Sequence, residues 1–312
     1  MRVLFIGQNG SFSTYPLRKI AAEHEIVGIV ESVPQKYTPM KAKLLKFLTR
    51  YNKKQTLRSL ARQMSVPYFL LQRGKKNGLA SFVKTLNPDI ICVASMSELL
   101  PKEVFSMPPF GTINFHPALL PQYRGPRSFF WQYYFMEPET GVTIHYIDEG
   151  EDTGDIIRQK SIPIFLGMKS GELVNEITII GAALMAEALD DISKGTVQSV
   201  PQKHLPCPFR ARREKKGEEL IDWNWPIERI WHFLRGTAYQ DKSFKYRLPG
   251  SSWIVRDFKK GETDGTAGML KISLQGFYMT HREGKIFVTL KWSLIDFARD
   301  LYHFALKLTG QD

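Results

Sequence analysis

Cysteine is scarce in this 312-residue chain, which contains only Cys92 and Cys207. Neither has a neighbouring ligand at a spacing that zinc sites use, so the sequence predicts no metal. A low cysteine count is typical of a reducing compartment, and we expect a cytoplasmic protein. Long apolar runs are also missing: no stretch approaches the roughly 18 residues that a transmembrane helix needs, so we expect no membrane partner. The short apolar run near the first residue predicts a strand and not a signal peptide.

Acidic residues are absent between Lys36 and Lys76, a range that contains twelve basic residues and is called the basic segment below. The formal net charge of the whole chain is +12, so the remainder of the chain is neutral. Such a segment attracts phosphate, whether in RNA, a nucleotide or a lipid headgroup. The alternative is a solvated helix face that only aids solubility. The basic residues are Lys36, Lys41, Lys43, Lys46, Arg50, Lys53, Lys54, Arg58, Arg62, Arg73, Lys75 and Lys76.

A dinucleotide-binding fingerprint is missing as well. The first loop has the sequence GQNGSF and not GxGxxG, so no NAD site is predicted. On either side of a helical pattern, RVLFIG and HEIVGIVES are apolar on both faces, as buried parallel strands are. Further strands alternating with helices predict an α/β, Rossmann-like, doubly wound and mostly parallel sheet. These further strands are DIICVAS, TINFH, GVTIHYID and DIIRQKSIPI.

Composition changes near residue 200, which predicts a second domain. Residues 1–200 are interpreted as the α/β domain, and residues 201–222, rich in proline and charge, as a linker. Residues 223–312 contain one helical pattern and then short strands with turn signals, which predicts a smaller β-rich domain. An amphipathic pattern from 294 to 308 predicts a closing helix.

Asn114 and His116 lie two positions apart in the predicted strand TINFH, so their side chains share one face. The carboxyl ends of such strands are where open α/β sheets bind ligands. The loop from 145 to 155 carries five acids, and we expect it to begin at the same sheet edge. An amide, an imidazole and a carboxylate would then converge. The alternative is that Asn114 caps a turn, His116 packs against Pro117 and the acidic loop is only a solvated turn.

These three groups suit acyl transfer. An amide N–H over a carbonyl oxygen stabilises the oxyanion of a tetrahedral intermediate, and a histidine beside a carboxylate can take a proton from an attacking amine. No serine or cysteine nucleophile is evident in the same stretch. This pattern favours direct transfer to an amine over a covalent acyl-enzyme.

The motif Asn-x-His followed by LLPQYRG, and then ETGVTIHYIDEGEDTGDII, resembles the formyltransferases that use 10-formyltetrahydrofolate. Methionyl-tRNA formyltransferase, the amino-sugar-nucleotide N-formyltransferases and glycinamide ribonucleotide transformylase belong to that family. The similarity is densest from about 88 to 165. EELIDWNWPIERIWHFLRG is similar to the segment that joins the catalytic domain to the C-terminal barrel in the tRNA and sugar enzymes. The resemblance therefore implies a C-terminal, OB-like β-barrel domain.

By that resemblance, three residues are catalytic. Asn114 matches the asparagine that holds the formyl oxygen, and His116 matches the histidine that stabilises the tetrahedral intermediate and helps to move protons. Asp152 matches the catalytic carboxylate. The implied co-substrate is 10-formyltetrahydrofolate.

The resemblance also implies binding residues on two loops. VASMSELLP and IDEGED match the walls of the slot that holds the pterin ring, and YRG matches the loop beside the acceptor. The expected cofactor contacts are Met96, Ser97, Leu99, Asp148 and Gly150. The expected acceptor contacts are Tyr123, Arg124 and Gly125.

The resemblance leaves two acceptors: methionyl-tRNA, or a nucleotide-linked amino sugar or other small amine. The basic segment lies where the tRNA enzymes carry a basic inserted loop. However, GPRSFFWQYY is bulkier than their small-residue run, and their glycine-lysine-lysine and proline-serine-proline motifs are missing. His145 also precedes Asp152 by seven residues, as in the small-molecule transformylases. We slightly favour the small amine. A non-catalytic RNA-binding role is the third hypothesis, and the intact set of Asn114, His116 and Asp152 argues against it.

Overall fold

The structure is a computed structural model whose described residues form two compact units. The first unit contains residues 1–128, 138–164 and 172–212, and the second contains residues 129–137, 165–171 and 213–312. The domain boundaries proposed from composition stay a prediction. The described residues are 1–33, 56–74, 78–202, 209–237, 251–262, 266–292 and 297.

Seven strands of the first unit form one sheet in the order β3-β2-β1-β4-β5-β6-β7. The first five strands in that order are parallel, whereas β6 is antiparallel to β5 and β7 is antiparallel to β6. A Rossmann-like, mostly parallel sheet is therefore confirmed. The strands are β1 (Arg2–Gly7), β2 (Glu25–Val33), β3 (Tyr68–Gln72), β4 (Ile90–Ala94), β5 (Thr112–His116), β6 (Glu139–Tyr146) and β7 (Ile156–Pro163).

Helices connect most of these strands, as expected for a doubly wound sheet. The described part of the chain has no helix long and apolar enough to cross a bilayer. The helices up to residue 194 are α1 (Ser11–Ala21), α2 (Leu57–Gln63), α3 (Leu79–Leu86), α4 (Lys102–Phe105), α5 (Ser128–Phe135) and α6 (Ser170–Lys194).

The two faces of the sheet are covered by different helices. Phe115 of β5 stacks on Phe12 of α1 with ring centroids 4.3 Å apart. It also lies so close to α6 that a Cβ on Gly181 would come within 2.2 Å of the ring. On the opposite face, α3 and α4 contribute Val83 and Val104 to a buried cluster with β-strand residues. Because side chains alternate along a strand, Asn114 and His116 point away from the face that carries Phe115.

The sequence did not predict β3 or α3. β3 is the edge strand of the sheet and is largely half-buried, so it lacks the continuous apolar run that identifies β4. α3 has only eight residues. Of the basic segment, only residues 56–74 are described, and they include α2 and β3. Most of the predicted closing helix at 294–308, like Cys207, lies outside the described residues.

The second unit combines an aromatic helix pair with a small sheet. Tyr134 of α5 packs on Trp225 with ring centroids 5.1 Å apart, and the Arg229 guanidinium of α7 (Ile227–Gly236) lies 4.1 Å from the Trp225 ring centroid. The described strands form a four-stranded antiparallel sheet in the order β8-β11-β10-β9. Closure into an OB-like barrel stays a prediction. The strands are β8 (Ser251–Lys260), β9 (Leu270–Ser273), β10 (Gly276–His281) and β11 (Gly284–Trp292).

Candidate active site

Asn114 of β5 lies at the centre of a polar cluster. The strand register places Asn114 beside Val93 of β4 and His145 of β6. Its amide nitrogen Nδ2 lies 3.0 Å from His145 Nε2 and 3.4 Å from Asp152 Oδ1. Asn114 thus contacts the predicted catalytic carboxylate and a cross-strand histidine, which is not the turn cap of the alternative interpretation.

His145 determines which way the Asn114 amide donates. His145 Nδ1 lies 2.7 Å from the Tyr146 carbonyl oxygen, which can only accept a hydrogen bond. In the neutral ring, Nδ1 therefore carries the proton and Nε2 accepts from Asn114. One Asn114 N–H is held by His145, and the other points to Asp152 over the longer distance of 3.4 Å.

The protein backbone holds the His116 imidazole through its Nε2 atom. The residue is only 4% exposed, and His116 Nε2 lies 3.0 Å from the Tyr123 carbonyl oxygen. Nε2–H is therefore the donor, and the lone pair of neutral His116 lies on Nδ1. That atom is 3.4 Å from Asp152 Oδ2. The imidazole is oriented by the protein backbone so that its proton-accepting nitrogen faces the carboxylate.

The Asp152 carboxylate faces two N–H donors. Oδ2 accepts a hydrogen bond of 2.9 Å from the Gly125 N–H, and Oδ1 lies 3.4 Å from the Asn114 amide nitrogen. Burial by itself would raise the pKa of Asp152, but the positive charge that His116 and His145 carry when they are protonated, together with the Gly125 N–H, outweighs burial and holds the pKa well below its usual range. Asp152 is therefore ionised at neutral pH.

The pKa of His116 is lowered from its ordinary value, because burial disfavours the imidazolium more than the Asp152 carboxylate favours it. His116 is consequently neutral at pH 7. The Nδ1 lone pair and the ionised Asp152 Oδ2 then face each other across 3.4 Å with no proton of their own between them. A pair of acceptors in this arrangement is suited to receive one proton from a third group.

The path of the chain to Asp152 differs from the path that the sequence predicted. The acidic loop does not begin at the carboxyl edge of β5, because β6 is antiparallel to β5 and its last residue, Tyr146, lies opposite Ile113. The loop between β6 and β7 folds back, and the Tyr146 N–H donates to the Asp155 carbonyl over 2.9 Å. A Cβ on Gly154 would lie 1.9 Å from the Tyr146 carbonyl oxygen, so this close approach requires glycine.

Two of the predicted acceptor residues hold members of the predicted catalytic set through their backbone. The Tyr123 carbonyl holds His116, and the Gly125 N–H holds Asp152. Gly125 has φ +110°, and a Cβ there would lie 2.9 Å from the Ala211 carbonyl oxygen. Only glycine therefore fits at this position. Direct contact of this loop with an acceptor stays a prediction.

Arg124, the third predicted acceptor residue, donates to Gln202 Oε1 from Nε over 3.2 Å and from Nη2 over 2.8 Å. Sequence reasoning missed Gln202, which lies in the predicted linker and shows no pattern that indicates a site. His145 was noticed only for its spacing to Asp152, although its position in a strand beside Asn114 was a usable signal.

Each predicted wall of the cofactor slot adjoins the same apolar cluster. Met96, after β4, and Ile147, after β6, both pack against the cluster on the α3 and α4 face of the sheet. Leu99, in the loop after β4, is 54% exposed. Ser97 Oγ lies 2.7 Å from Ser32 Oγ, which fixes the loop after β4 to the end of β2.

The Asp148 side chain forms hydrogen bonds within its own loop, the second predicted wall. Its Oδ1 accepts hydrogen bonds from the Gly150 N–H over 3.0 Å and from the Thr153 hydroxyl over 2.6 Å. A Cβ on Gly150 would lie 2.0 Å from Thr153 Oγ1. The loop is therefore a tight turn, and the roles of Asp148 and Gly150 in binding stay predictions.

Known proteins resemble this chain in sequence. The family model described as formyl transferase matches residues 1–189. A methionyl-tRNA formyltransferase of Alkaliphilus metalliredigens is 27% identical over 290 residues, which cover 92% of this chain and 89% of that protein. The methionyl-tRNA formyltransferase of Carboxydothermus hydrogenoformans is 32% identical over 239 residues, which cover 75% and 72%.

A solved structure shares the fold. The N-formyltransferase of Helicobacter canadensis, crystallised with folinic acid and dTDP-3-aminofucose, has a TM-score of 0.63 and 17% identity, and the match covers 94% of this chain and 100% of that one. At this identity the similarity shows the fold alone, whereas the family model spans well over half of the sequence. The chain belongs to the formyl transferase family.

Proposed function

We propose that this chain transfers a formyl group from 10-formyltetrahydrofolate to a primary amine by direct attack of the amine. One observation carries the proposal: the Asp152 carboxylate lies 3.4 Å from both the Asn114 amide nitrogen and the His116 Nδ1 atom. An oxyanion donor, a proton acceptor and a carboxylate thus converge on one face of β5, with the two acceptors lacking a proton. A non-catalytic RNA-binding protein would have no use for this arrangement.

The proposed reaction moves one formyl group and one proton. The amine nitrogen forms a bond to the formyl carbon, and the carbonyl oxygen becomes an oxyanion. The Asn114 amide makes two hydrogen bonds, and the one to Asp152, at 3.4 Å, is the longer. In the proposed step, the N–H of this longer hydrogen bond turns to the oxyanion and stabilises it. The pair of His116 and Asp152 accepts the proton of the attacking amine. When the tetrahedral intermediate collapses, the bond from carbon to the donor nitrogen breaks and that nitrogen takes the proton.

The proposed donor site lies between the loops after β4 and β6. In this proposal a flat pterin ring covers the apolar side chain of Leu99, which is exposed, and we expect Met96, Ser97, Asp148 and Gly150 to form the rest of the two walls. When bound, 10-formyltetrahydrofolate supplies the activated formyl group. We propose no metal, because the Asn114 amide stabilises the oxyanion and His116 with Asp152 handles the proton.

The relatives support two acceptors. We propose a nucleotide-linked amino sugar or another small amine first, because GPRSFFWQYY is bulky and His145, spaced as in small-molecule transformylases, contacts Asn114. The Helicobacter canadensis enzyme, which shares the fold at 17% identity, was solved with a molecule of this class, dTDP-3-aminofucose. Methionyl-tRNA is the second candidate, since the sequence relatives cited above are methionyl-tRNA formyltransferases and the basic segment follows β2.

A panel of acceptors distinguishes the two. With a small amine, we expect turnover on an amino-sugar nucleotide to exceed turnover on methionyl-tRNA. The salt dependence of affinity should then be shallow, because only one diphosphate is bound. A tRNA acceptor would give a log–log slope of roughly −0.7 to −0.9 for each phosphate contacted. Neutralising Lys53, Lys54 and Arg58 should then flatten that slope. A steep slope, with higher turnover on methionyl-tRNA than on every amino-sugar nucleotide, would overturn the first choice.

The pH dependence of kcat tests the protonation state of His116. Because its pKa is lowered, neutral Nδ1 is available at pH 7 and is lost as the pH falls through that lowered pKa. With saturating donor and acceptor, kcat should be flat down to about pH 6.5 and should decline only below it. Protonation of the acceptor amine also lowers kcat. Such a decline moves along the pH axis when an acceptor with a different amine pKa is used, and this distinguishes it from protonation of His116. An acid limb centred above pH 6.5 with every acceptor would show that His116 is not the neutral acceptor.

A further inference from the structure

Residues 200–202 and 209–211, which flank the undescribed stretch 203–208, contact β7 and the loops that carry Asp152 and Arg124. Val200 and Ile156 exchange two backbone hydrogen bonds of 2.8 and 2.9 Å. The Ala211 N–H donates to the Arg124 carbonyl over 2.7 Å, and the Arg127 N–H donates to the Ala211 carbonyl over 3.0 Å. The formyl transferase model ends at residue 189, so these contacts come from chain beyond the matched family region.

Gln202 makes the most specific of these contacts. It is only 1% exposed, and both the nitrogen and the oxygen of its side-chain amide form hydrogen bonds. Nε2 donates to the Gly154 carbonyl over 2.5 Å and lies 3.3 Å from the Asp152 carbonyl oxygen. Oε1 accepts from two nitrogens of the Arg124 guanidinium. The side chain therefore bridges the loop that carries Asp152 and the loop that carries Arg124.

Both bridged loops determine where the Asp152 carboxylate lies. Asp152 has φ +54°, a left-handed conformation that a non-glycine residue adopts at a cost and only when its surroundings hold it. Gln202 holds the backbone carbonyl of that strained residue. Through Arg124, it also holds the residue next to Gly125, whose N–H binds the carboxylate. Loss of Gln202 would release Asp152 at its backbone and at its side chain together.

We propose that Gln202 is a positioning residue that keeps the Asp152 carboxylate in contact with Asn114 and His116. This inference rests on the proposed function for its kinetic consequence, but its geometric consequence can be measured without turnover. The competing interpretation is that Gln202 only stabilises the fold, as any satisfied buried amide does.

Two substitutions separate the roles of the Gln202 amide. Gln202→Leu removes the donor and the acceptor. Gln202→Glu keeps an acceptor for Arg124 but places a second acceptor against the Asp152 and Gly154 carbonyls. Thr280→Val is the control, because Thr280 is 2% exposed, its hydroxyl both donates and accepts hydrogen bonds, and it belongs to the second unit. A displacement of the carboxylate by about 1 Å should reduce kcat on the order of 10²-fold in both Gln202 variants, with little change in KM.

Non-additivity shows whether the effect acts through Asp152. In an Asp152→Asn background, Gln202→Leu should reduce kcat much less than it does in the wild-type chain, because the group that it positions is already disabled. The same fold reduction in both backgrounds would show that Gln202 serves the fold alone and would overturn the proposal.

The His116 titration, followed by NMR, provides the readout that needs no substrate. The Asp152 carboxylate raises the pKa of His116 against the larger effect of burial, so a displaced carboxylate should lower the pKa of His116 further in Gln202→Leu. The pKa of His116 should be unchanged in Thr280→Val. An unchanged His116 pKa in Gln202→Leu would overturn the positioning role even if formyl transfer is observed. A lowered pKa in a chain that formylates no tested amine would uphold the positioning role and refute the proposed function.

Discussion

Asp152→Asn is expected to lower kcat on the order of 10²–10⁴-fold, the usual contribution of general acid–base catalysis. The substitution keeps the shape of the side chain, but it removes the charge that faces His116 Nδ1 across 3.4 Å. The chain should still fold, since Asp152 lies in a loop and contributes little to the hydrophobic core. Steady-state kinetics and a thermal unfolding curve on the same preparation measure the two effects.

Asp155→Asn is the matched control for that experiment. Asp155 lies in the same acidic loop, and its backbone carbonyl is the acceptor for the Tyr146 N–H. Its substitution should leave kcat within a few-fold of the wild-type value. Near-normal turnover by Asp152→Asn, or an equal loss in the two variants, would show that Asp152 is not the proton-handling carboxylate.

Asn114→Asp should reduce kcat by roughly 10²–10³-fold, the effect of removing one oxyanion donor. The aspartate has nearly the same shape as asparagine but no N–H to offer to the formyl oxygen. It also places a second carboxylate beside Asp152, whose Oδ1 lies 3.4 Å from the Asn114 amide nitrogen. Like charges at that distance disfavour ionisation of both, so the pKa of Asp152 should rise. Steady-state kinetics over a range of pH measures both consequences.

Asn87→Asp provides the comparison, since this exposed asparagine follows the last turn of α3 and is remote in sequence from the catalytic loops. It should leave kcat unchanged. If Asn114→Asp retains more than about a tenth of the wild-type kcat, the Asn114 amide is not the main oxyanion donor.

The sequence predicted most of the central sheet because its inner strands leave a strong physical signal. All five residues of β4 are buried, so the strand is one unbroken apolar run. The edge strand β3 carries no such run because much of it is half-buried. The direction of β6 was not encoded locally, and this is why the path of the acidic loop was predicted incorrectly although its contact with β5 was expected.

The convergence of Asn114, His116 and Asp152 could be predicted because these residues lie in two short motifs, each with its own pattern. Asn114 and His116 alternate along one strand, and Asp152 belongs to an acid-rich loop between two strands. Gln202 could not be found in this way. It follows a proline in a segment whose composition indicates a linker, and its importance comes only from contacts to loops that are 48 to 78 residues distant in sequence.

The central claim is direct, metal-free transfer of the formyl group to the amine, and following an isotope-labelled formyl group tests it most directly. A single turnover is run with 10-formyltetrahydrofolate labelled with ¹³C in its formyl group, an acceptor amine and EDTA, and the products are followed by NMR and mass spectrometry. The account predicts that the label appears in a formamide of the acceptor at the same rate with and without EDTA. It also predicts that no labelled protein intermediate forms. Label on the protein, or activity that EDTA abolishes and zinc restores, would contradict direct, metal-free transfer to the amine.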